Sequence, residues 1–171
     1  MSKYKYGIKN FVIADIDPAN GNAVVAGSLD IVDDIYRDTF DMTEEDGTST
    51  DLYSEMDNTP KLSFQEPGKE TLSLELMDTT PARLAFFLGG NVVSSGGKDT
   101  WSKPANQGAN EKHITITLID DTEMVIPRAK IVGKKNFQFR RNNIWTLDVN
   151  ITPLTPEHVG LAAIDISEPT A

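Results

Sequence analysis

The chain has 171 residues, two histidines, no cysteine and a net charge of −10 at pH 7. A chain of this length fits one domain and buries roughly 70% of its unfolded surface, so it can build a core without disulfides. The lack of cysteine excludes disulfides, thiolate zinc sites and thiol nucleophiles together. The acidic charge argues against binding of duplex nucleic acid, which depends on lysine and arginine neutralising phosphates.

The sequence gives no sign of secretion or of a membrane partner. Residues 1–7 lead into no apolar stretch, so we expect no signal peptide. The longest uninterrupted apolar run, Leu84 to Leu88, is far shorter than the roughly 20 residues that a membrane span requires. We therefore expect a soluble protein made in the cytoplasm.

Alternation of apolar and polar residues in the first half of the chain predicts strands. The predicted strands lie near 8–14, 24–31, 35–42, 50–57 and 71–76. The piece 43–50 is polar and strongly acidic. It predicts a long acidic loop at about 39–53, in which residues 43–50 are mobile in the monomer and ordered on assembly, because they have little apolar surface to anchor them.

One segment has the pattern of a helix. Thr80 precedes Pro81 at the first helical position, and Gly89 follows the apolar run. This order of capping threonine, proline and terminal glycine predicts a helix of about two turns at 80–88. Because it is apolar nearly all round apart from Arg83, we expect it to be covered on more than one side.

The second half of the chain is again strand-like, after a polar Gly/Asn/Pro-rich loop predicted at 96–110. The predicted strands are 113–118, 123–132, 137–139 and 144–152, and an arm leaves the last strand from about 153. Trp145 shares a face with Leu147 and Val149, which predicts a core position whose truncation costs roughly 3–5 kcal/mol. Trp101 falls in the predicted loop, so we expect its loss chiefly to affect assembly or to have little effect. We find no repeat or linker and predict a single domain over 1–171.

Catalytic and metal-binding patterns are weak. His113 falls on the polar face of a predicted strand, His158 lies in the arm, and neither adjoins a nucleophile motif. The run that begins at Asp15 starts like a calcium loop but has Ala26 at position twelve, where glutamate is needed. We therefore assign no catalytic, cofactor-binding or metal-binding residue and expect a protein that is not an enzyme.

The charges are segregated along the chain. Residues 38–57 contain eight acids and no Lys or Arg, and residues 128–141 contain six basic residues and no acid. Two solvated surfaces are one interpretation. The other is a complementary pair of surfaces that favours head-to-tail contact between copies. The candidate self-assembly residues are Glu44, Glu45, Asp46, Asp51, Arg128, Lys130, Lys134, Lys135, Arg140 and Arg141.

The order of these features resembles the major tail tube proteins of long-tailed bacteriophages. Lys-Tyr-Gly-Ile-Lys-Asn at 5–10 leads into a strand, an acidic hairpin follows at about 36–57, and then Leu-Ser-Leu-Glu-Leu at 72–76. The helix at 80–88 runs into two glycines, Trp101 follows in a loop, and Trp145 lies in the last strand. The resemblance covers essentially the whole chain but includes no diagnostic motif.

The resemblance implies a mostly β fold, a β-sandwich or partly closed barrel with one short flanking α-helix at about 80–88. It also implies a structural virion protein that forms rings, usually of six copies, which stack into a tail tube through a long loop and the terminal arms. Phage DNA would pass through an acidic lumen during ejection. Other tail proteins would bind the tube ends, in a tail assembled in the cytoplasm of the host bacterium.

Other classes of protein remain open at this point. A secretion-system tube protein would share the architecture. A β-sandwich module that binds carbohydrate or a cell surface would show several exposed aromatic residues on one sheet face, and the chain has only two tryptophans and four tyrosines.

Overall fold

The computed structural model describes residues 4–106, 108 and 110–169. Within them, twelve strands, one α-helix and one 3₁₀ turn follow one another. In chain order they are β1 (Ile8–Ile16), β2 (Ala23–Asp30), the 3₁₀ turn (Val32–Asp34), β3 (Asp41–Glu44), β4 (Thr48–Ser54), β5 (Asp57–Glu66), β6 (Glu70–Leu76), α1 (Pro81–Leu88), β7 (Asn91–Ser95), β8 (Lys98–Ser102), β9 (Asn110–Leu118), β10 (Glu123–Asn136), β11 (Thr146–Pro153) and β12 (Asp165–Ser167).

Eight of the strands form one antiparallel sheet. Its order is β2-β1-β9-β10-β11-β6-β3, and β12 pairs with the first residues of β10. Two separate hairpins, β4–β5 and β7–β8, complete the described strands. The prediction of a mostly β fold with one short helix is confirmed. Because β2 and β3 end the sheet without pairing to each other, the architecture agrees with a β-sandwich and not with a closed barrel.

The core lies on one face of this sheet. Alternation places the β-branched and leucine side chains of each strand inward, as in β9, where Ile114 and Ile116 are buried. The three leucines of β6 are buried in the same way, opposite the inward residues of β11. Period-two patterning therefore assigned these strands to the core correctly.

The helix α1 begins and ends where the sequence predicted. Pro81 is its first residue, and Gly89 ends it with a φ of 71°. Leu84, Phe87 and Leu88 are buried against the sheet. No helix in the described chain has the length and apolar character needed to cross a membrane.

The polar connections were predicted less well. The 35–42 segment is not a continuous strand, because a turn with a positive φ at Asp38 separates the single bridge of Ile35 with Leu76 from β3, which begins at Asp41. The predicted loop at about 39–53 holds β3 and most of β4, since backbone pairing with β6 and β5 overrides its polar composition. The predicted loop at 96–110 contains β8, which pairs with β7 across Gly96 and Gly97; Gln107 and Ala109 lie outside the described residues. Residues 137–139 form no strand, because β10 ends at Asn136.

The segment predicted as a C-terminal arm from about 153 returns along the sheet. The amide of Leu154 donates to the carbonyl of Arg128 at 2.9 Å. Further on, Ile166 in β12 pairs with Met124 of β10. The segment thus lies against the body of the same chain over much of its length.

The two tryptophans have the opposite environments from those predicted: Trp101 packs against the core and Trp145 is partly exposed. Trp145 precedes the first residue of β11 and is 42% exposed, so the predicted core position is wrong. Trp101 lies in β8, packs against the core and donates from Nε1 to the carbonyl of Gly89 at 2.8 Å. Pairing with β7 is the physical reason, because it turns a polar stretch into a strand that can hold an aromatic side chain inward.

We therefore expect Trp101→Ala to destabilise the protein more than Trp145→Ala. Loss of Trp101 removes core packing and a partly buried hydrogen bond and should cost about 2–3 kcal/mol. Loss of Trp145 removes an aromatic stack near the surface and should cost about 1 kcal/mol. Urea unfolding of both variants measures the difference, and a larger loss for Trp145→Ala would contradict the assignment.

Candidate interaction site

The β4–β5 hairpin lies outside the core. Its two strands pair only with each other among the described strands, from Thr48 opposite Glu66 to Ser54 opposite Asp57. Apart from Asp57, every residue of 48–66 is exposed. The hairpin is therefore an element whose side chains the rest of the described chain does not cover.

The base of the hairpin is held tightly. The amide of Glu45 donates to the carbonyl of Lys69 at 3.0 Å, where the chain leaves β3 and enters β6. A Cβ at Gly68 would lie 1.5 Å from the carbonyl oxygen of Glu45, so glycine is required for this close approach. The clamp fixes where the hairpin leaves the sheet.

The four predicted acidic residues lie together on this element. Glu44 ends β3, Glu45 and Asp46 connect β3 to β4, and Asp51 lies in β4, all exposed. Residues 44–66 contain seven acids and one lysine, a net charge of −6. The lysine, Lys61, pairs with Asp57 at 2.8 Å, so the hairpin and its base remain strongly acidic.

The six predicted basic residues divide into two groups. Lys130 is exposed near the hairpin's end of the sheet, and Arg128 beside it is already engaged. The Arg128 Nε donates to Glu111 at 2.7 Å, and its Nη1 lies 3.1 Å from the carboxylate of Glu157. The hydrogen bond with Glu111 raises the pKa of Arg128 above its ordinary value. Arg128 thus helps to hold the C-terminal segment and does not form part of an open basic surface.

The other four basic residues lie toward the opposite end of the sheet. Lys134 and Lys135 are in the last part of β10, and Arg140 and Arg141 lie in the turn that follows. None of the four takes part in an ion pair in the described chain, and Lys135 lies over the ring of Trp101 at 5.1 Å. All four are exposed, and although Lys134 lies opposite Asp148 in the sheet, it forms no ion pair with it.

Strand register fixes the separation of the two charged groups. Glu70, which pairs with Glu44, begins β6, whereas Leu76 at its other end pairs with Leu147 near the start of β11. Glu70 and Leu76 are six residues apart along β6, a distance of about 20 Å at roughly 3.4 Å per residue. The acidic base of the hairpin and the 137–145 connection therefore lie at opposite ends of the same sheet.

The connection between β10 and β11, residues 137–145, carries an aromatic cluster that sequence reasoning missed. Phe137 and Trp145 stack with ring centroids 4.5 Å apart, and Phe139 meets the edge of Trp145 at 5.1 Å. We call residues 137–145 the aromatic loop. Three aromatic residues within nine positions were a usable signal, but the alternation of Phe137 and Phe139 favoured a strand.

The C-terminal segment lines one side of a small open pocket of about 230 Å³ beside β10. Pro156, Glu157 and His158 line it from the segment, and Glu111 and Arg128 line it from the sheet. Its charged groups are largely paired with one another. Among the described residues, no three His, Cys, Asp or Glu side chains cluster closely enough to hold a metal ion.

His113 is buried, although its strand pattern placed it on a polar face. It lies opposite a bulge in β10, where Ile126 pairs with Ile114 but Ala129 pairs with Lys112, so that Pro127 and Arg128 together oppose one residue. Proline has no amide to pair and suits this position. Burial lowers the pKa of His113, and the charge of Glu123 offsets part of that effect.

Comparison with known proteins adds no family assignment. No model of a known protein family matches the chain, and a search of curated proteins finds no significant match.

We expect stability to fall in mild acid because of His113. Its pKa is depressed in the folded state, so the unfolded chain binds a proton first as the pH falls below 6.5. The free energy of unfolding should then drop with a slope of at most about 1.4 kcal/mol per pH unit. Urea unfolding between pH 7.5 and 5 measures this slope, which His113→Gln should flatten. His158→Gln is the matched control and should keep the slope; equal slopes in all three proteins would contradict the assignment.

Proposed function

We propose that this chain is a structural subunit that assembles with copies of itself. The observation that carries the proposal is the β4–β5 hairpin, a 19-residue element that is exposed on both faces in the monomer. An isolated two-stranded hairpin is at best marginally stable in water, and such hairpins gain stability by packing on a further surface. A second copy of the chain can supply that surface.

The edges of the large sheet support the same function. The sheet ends at β2 on one side and at the short, exposed β3 on the other. An edge strand presents unpaired amide and carbonyl groups that can pair with another chain. A ring of copies would give each edge a partner.

The finer proposal is a tail tube protein of a long-tailed bacteriophage. Its support is the resemblance in the order of elements, together with the mostly β fold and the helix at Pro81–Leu88. In this proposal, rings of six copies stack into the tube of the virion tail and other tail proteins bind its ends. The net charge of −10 suits a lumen through which DNA moves without binding. A secretion-system tube would use the same assembly.

A carbohydrate-binding module has less support. Such a module needs an aromatic ring with a free face against which a sugar can stack. The most exposed aromatic cluster has the ring of Trp145 stacked on Phe137 and in edge contact with Phe139. The neighbouring cleft is lined by amides, including Gln138 and Asn142, and Asn143 is hydrogen-bonded to Gln138.

Electron microscopy of the purified protein at rising concentration tests the proposal directly. We expect rings or tubes, accompanied by a concentration-dependent rise in mass in solution. A protein that remains monomeric at high concentration would contradict self-assembly.

Charge reversal should slow assembly without unfolding the subunit. Arg140→Glu with Arg141→Glu is preferable to reversal at Lys134, because Lys134 pairs across the sheet with Asp148 and a glutamate there would place like charges together. The double variant should assemble more slowly, and adding Glu44→Lys with Glu45→Lys should restore part of the rate. Light scattering at fixed concentration follows the rate.

High salt and reversal of a second pair of basic residues are the controls. Raising the salt to 1 M, where the Debye length is about 3 Å, should slow assembly of the unaltered protein, since exposed ion pairs are screened. Reversal of Lys98 and Lys103, which changes the net charge equally, should have a smaller effect. Equal slowing by both reversals would attribute the effect to net charge alone and contradict paired surfaces.

A further inference from the structure

The β4–β5 hairpin has one apolar face. Leu52 pairs with Leu62. Phe64 lies two residues after Leu62, opposite Thr50, so its side chain is on the same face of the hairpin. Their side chains are 48%, 57% and 56% exposed, in that order. Exposed apolar patches on a protein surface mark interaction sites. The apolar face of the hairpin is thus a surface in need of a partner.

The aromatic loop offers a matching surface. Phe139 is 83% exposed, Ile144 is 51% exposed, and Trp145 projects beside them. The stack of Trp145 on Phe137, which packs against the core, anchors this cluster to the body of the protein. Aromatic residues and arginine are the types enriched at the energetic centres of interfaces.

The charges around the two surfaces are complementary. Residues 44–66 carry a net charge of −6. Residues 134–145 contain Lys134, Lys135, Arg140 and Arg141 and no acid, a net charge of +4. Complementary charges steer two surfaces into contact and set their orientation.

A second apolar surface on the chain fits the acidic hairpin less well. A groove beside Tyr6 and Tyr36 is lined by apolar residues and bordered by two cations, Lys5 and Arg37. Lys5 already pairs with Asp120 at 3.2 Å, and Arg37 with Asp38 at 3.6 Å. Its rim is therefore close to neutral, unlike that of the aromatic loop.

The two surfaces are attached at opposite ends of the sheet. The hairpin leaves at the Glu70 end of β6, and the aromatic loop lies at the Leu76 end, about 20 Å away along the strands. A hairpin clamped at Glu45 and Gly68 is held at its own end. Since the apolar residues of both surfaces are uncovered within one copy, a contact between the two surfaces joins two copies head to tail.

We propose that the apolar face of the β4–β5 hairpin of one copy docks on the aromatic loop of a second copy. This inference rests on the proposed self-assembly and identifies its contact. Leu52, Leu62 and Phe64 pack against Phe139, Ile144 and Trp145, and the acids of the hairpin lie beside Arg140 and Arg141. The same contact repeats in one direction, since each copy presents both surfaces.

Disulfide trapping tests the contact, because the natural chain contains no cysteine. One protein carries Leu62→Cys and a second, differently tagged, carries Phe139→Cys. Mild oxidation of the mixture should give a mixed disulfide dimer in high yield. Val159→Cys replaces Phe139→Cys in the control; Val159 is fully exposed but lies in the C-terminal segment, away from the aromatic loop. Equal yields from both mixtures would overturn the proposal.

Polar substitutions provide a second test. Leu62→Ser with Phe64→Ser, and separately Phe139→Ser, should each raise the concentration needed for assembly by about tenfold or more, equivalent to about 1.4 kcal/mol of association free energy per tenfold. The melting temperature should change little, since all three side chains are exposed. Met56→Ser, at the tip of the hairpin and away from the paired apolar face, is the matched control and should assemble normally.

The outcomes separate the docking contact from self-assembly itself. Normal assembly of both serine variants would overturn the docking contact and leave the proposed function standing. An unaltered protein that never assembles would overturn both. Loss of assembly in the Met56→Ser control as well would show sensitivity to any change in the hairpin and overturn the specific contact.

Discussion

The fold depends on closing one face of a large sheet with a helix of only eight residues. This helix approaches β10 so closely that a Cβ at Gly133 would lie 2.9 Å from the carbonyl oxygen of Phe87. Arg83 holds the helix in place, donating to Asp34 at 2.8 Å and to Asp78 at 3.1 Å. Burial alone would raise the pKa of Asp78, but hydrogen bonds from Thr80 and Arg83 bring it below its ordinary value, so the carboxylate stays ionised beside the guanidinium.

The core is formed by apolar residues of the large sheet and of the helix, and the β4–β5 hairpin lies outside this core. The hairpin's leucines and phenylalanine have no place in the core, because its base is fixed at the edge strand β3. Apolar residues kept exposed in this way cost solubility, which the surrounding acids offset. These exposed apolar side chains contribute little to the stability of the monomer, so a contact between chains explains them better.

The sequence predicted the core better than the exposed surfaces. Strict alternation identified the inward residues of β6, β9 and β11, and capping chemistry placed α1 within one residue of its start. The same alternation failed at Trp145 and at Phe137, where the strands end and the pairing partner is lost. The strand β5 was not predicted, because Pro60 and several polar residues interrupt its apolar alternation and the strand is formed by its pairing with β4. Charge segregation located the acidic hairpin and Arg140, but it could not show that Arg128 is paired within the chain.

Symmetry distinguishes two ways in which the hairpin can contact a second copy. Two hairpins could cover each other's apolar faces in a two-fold dimer, where identical patches meet. That arrangement would bring together two segments that each carry a net charge of −6, with like charges facing each other across the contact. A head-to-tail contact places the same acids near Arg140 and Arg141 instead, and it leaves a free hairpin at one end and a free aromatic loop at the other. Electrostatics therefore favours the heterologous arrangement, and a heterologous contact that does not close on itself extends without limit, as the wall of a tube requires.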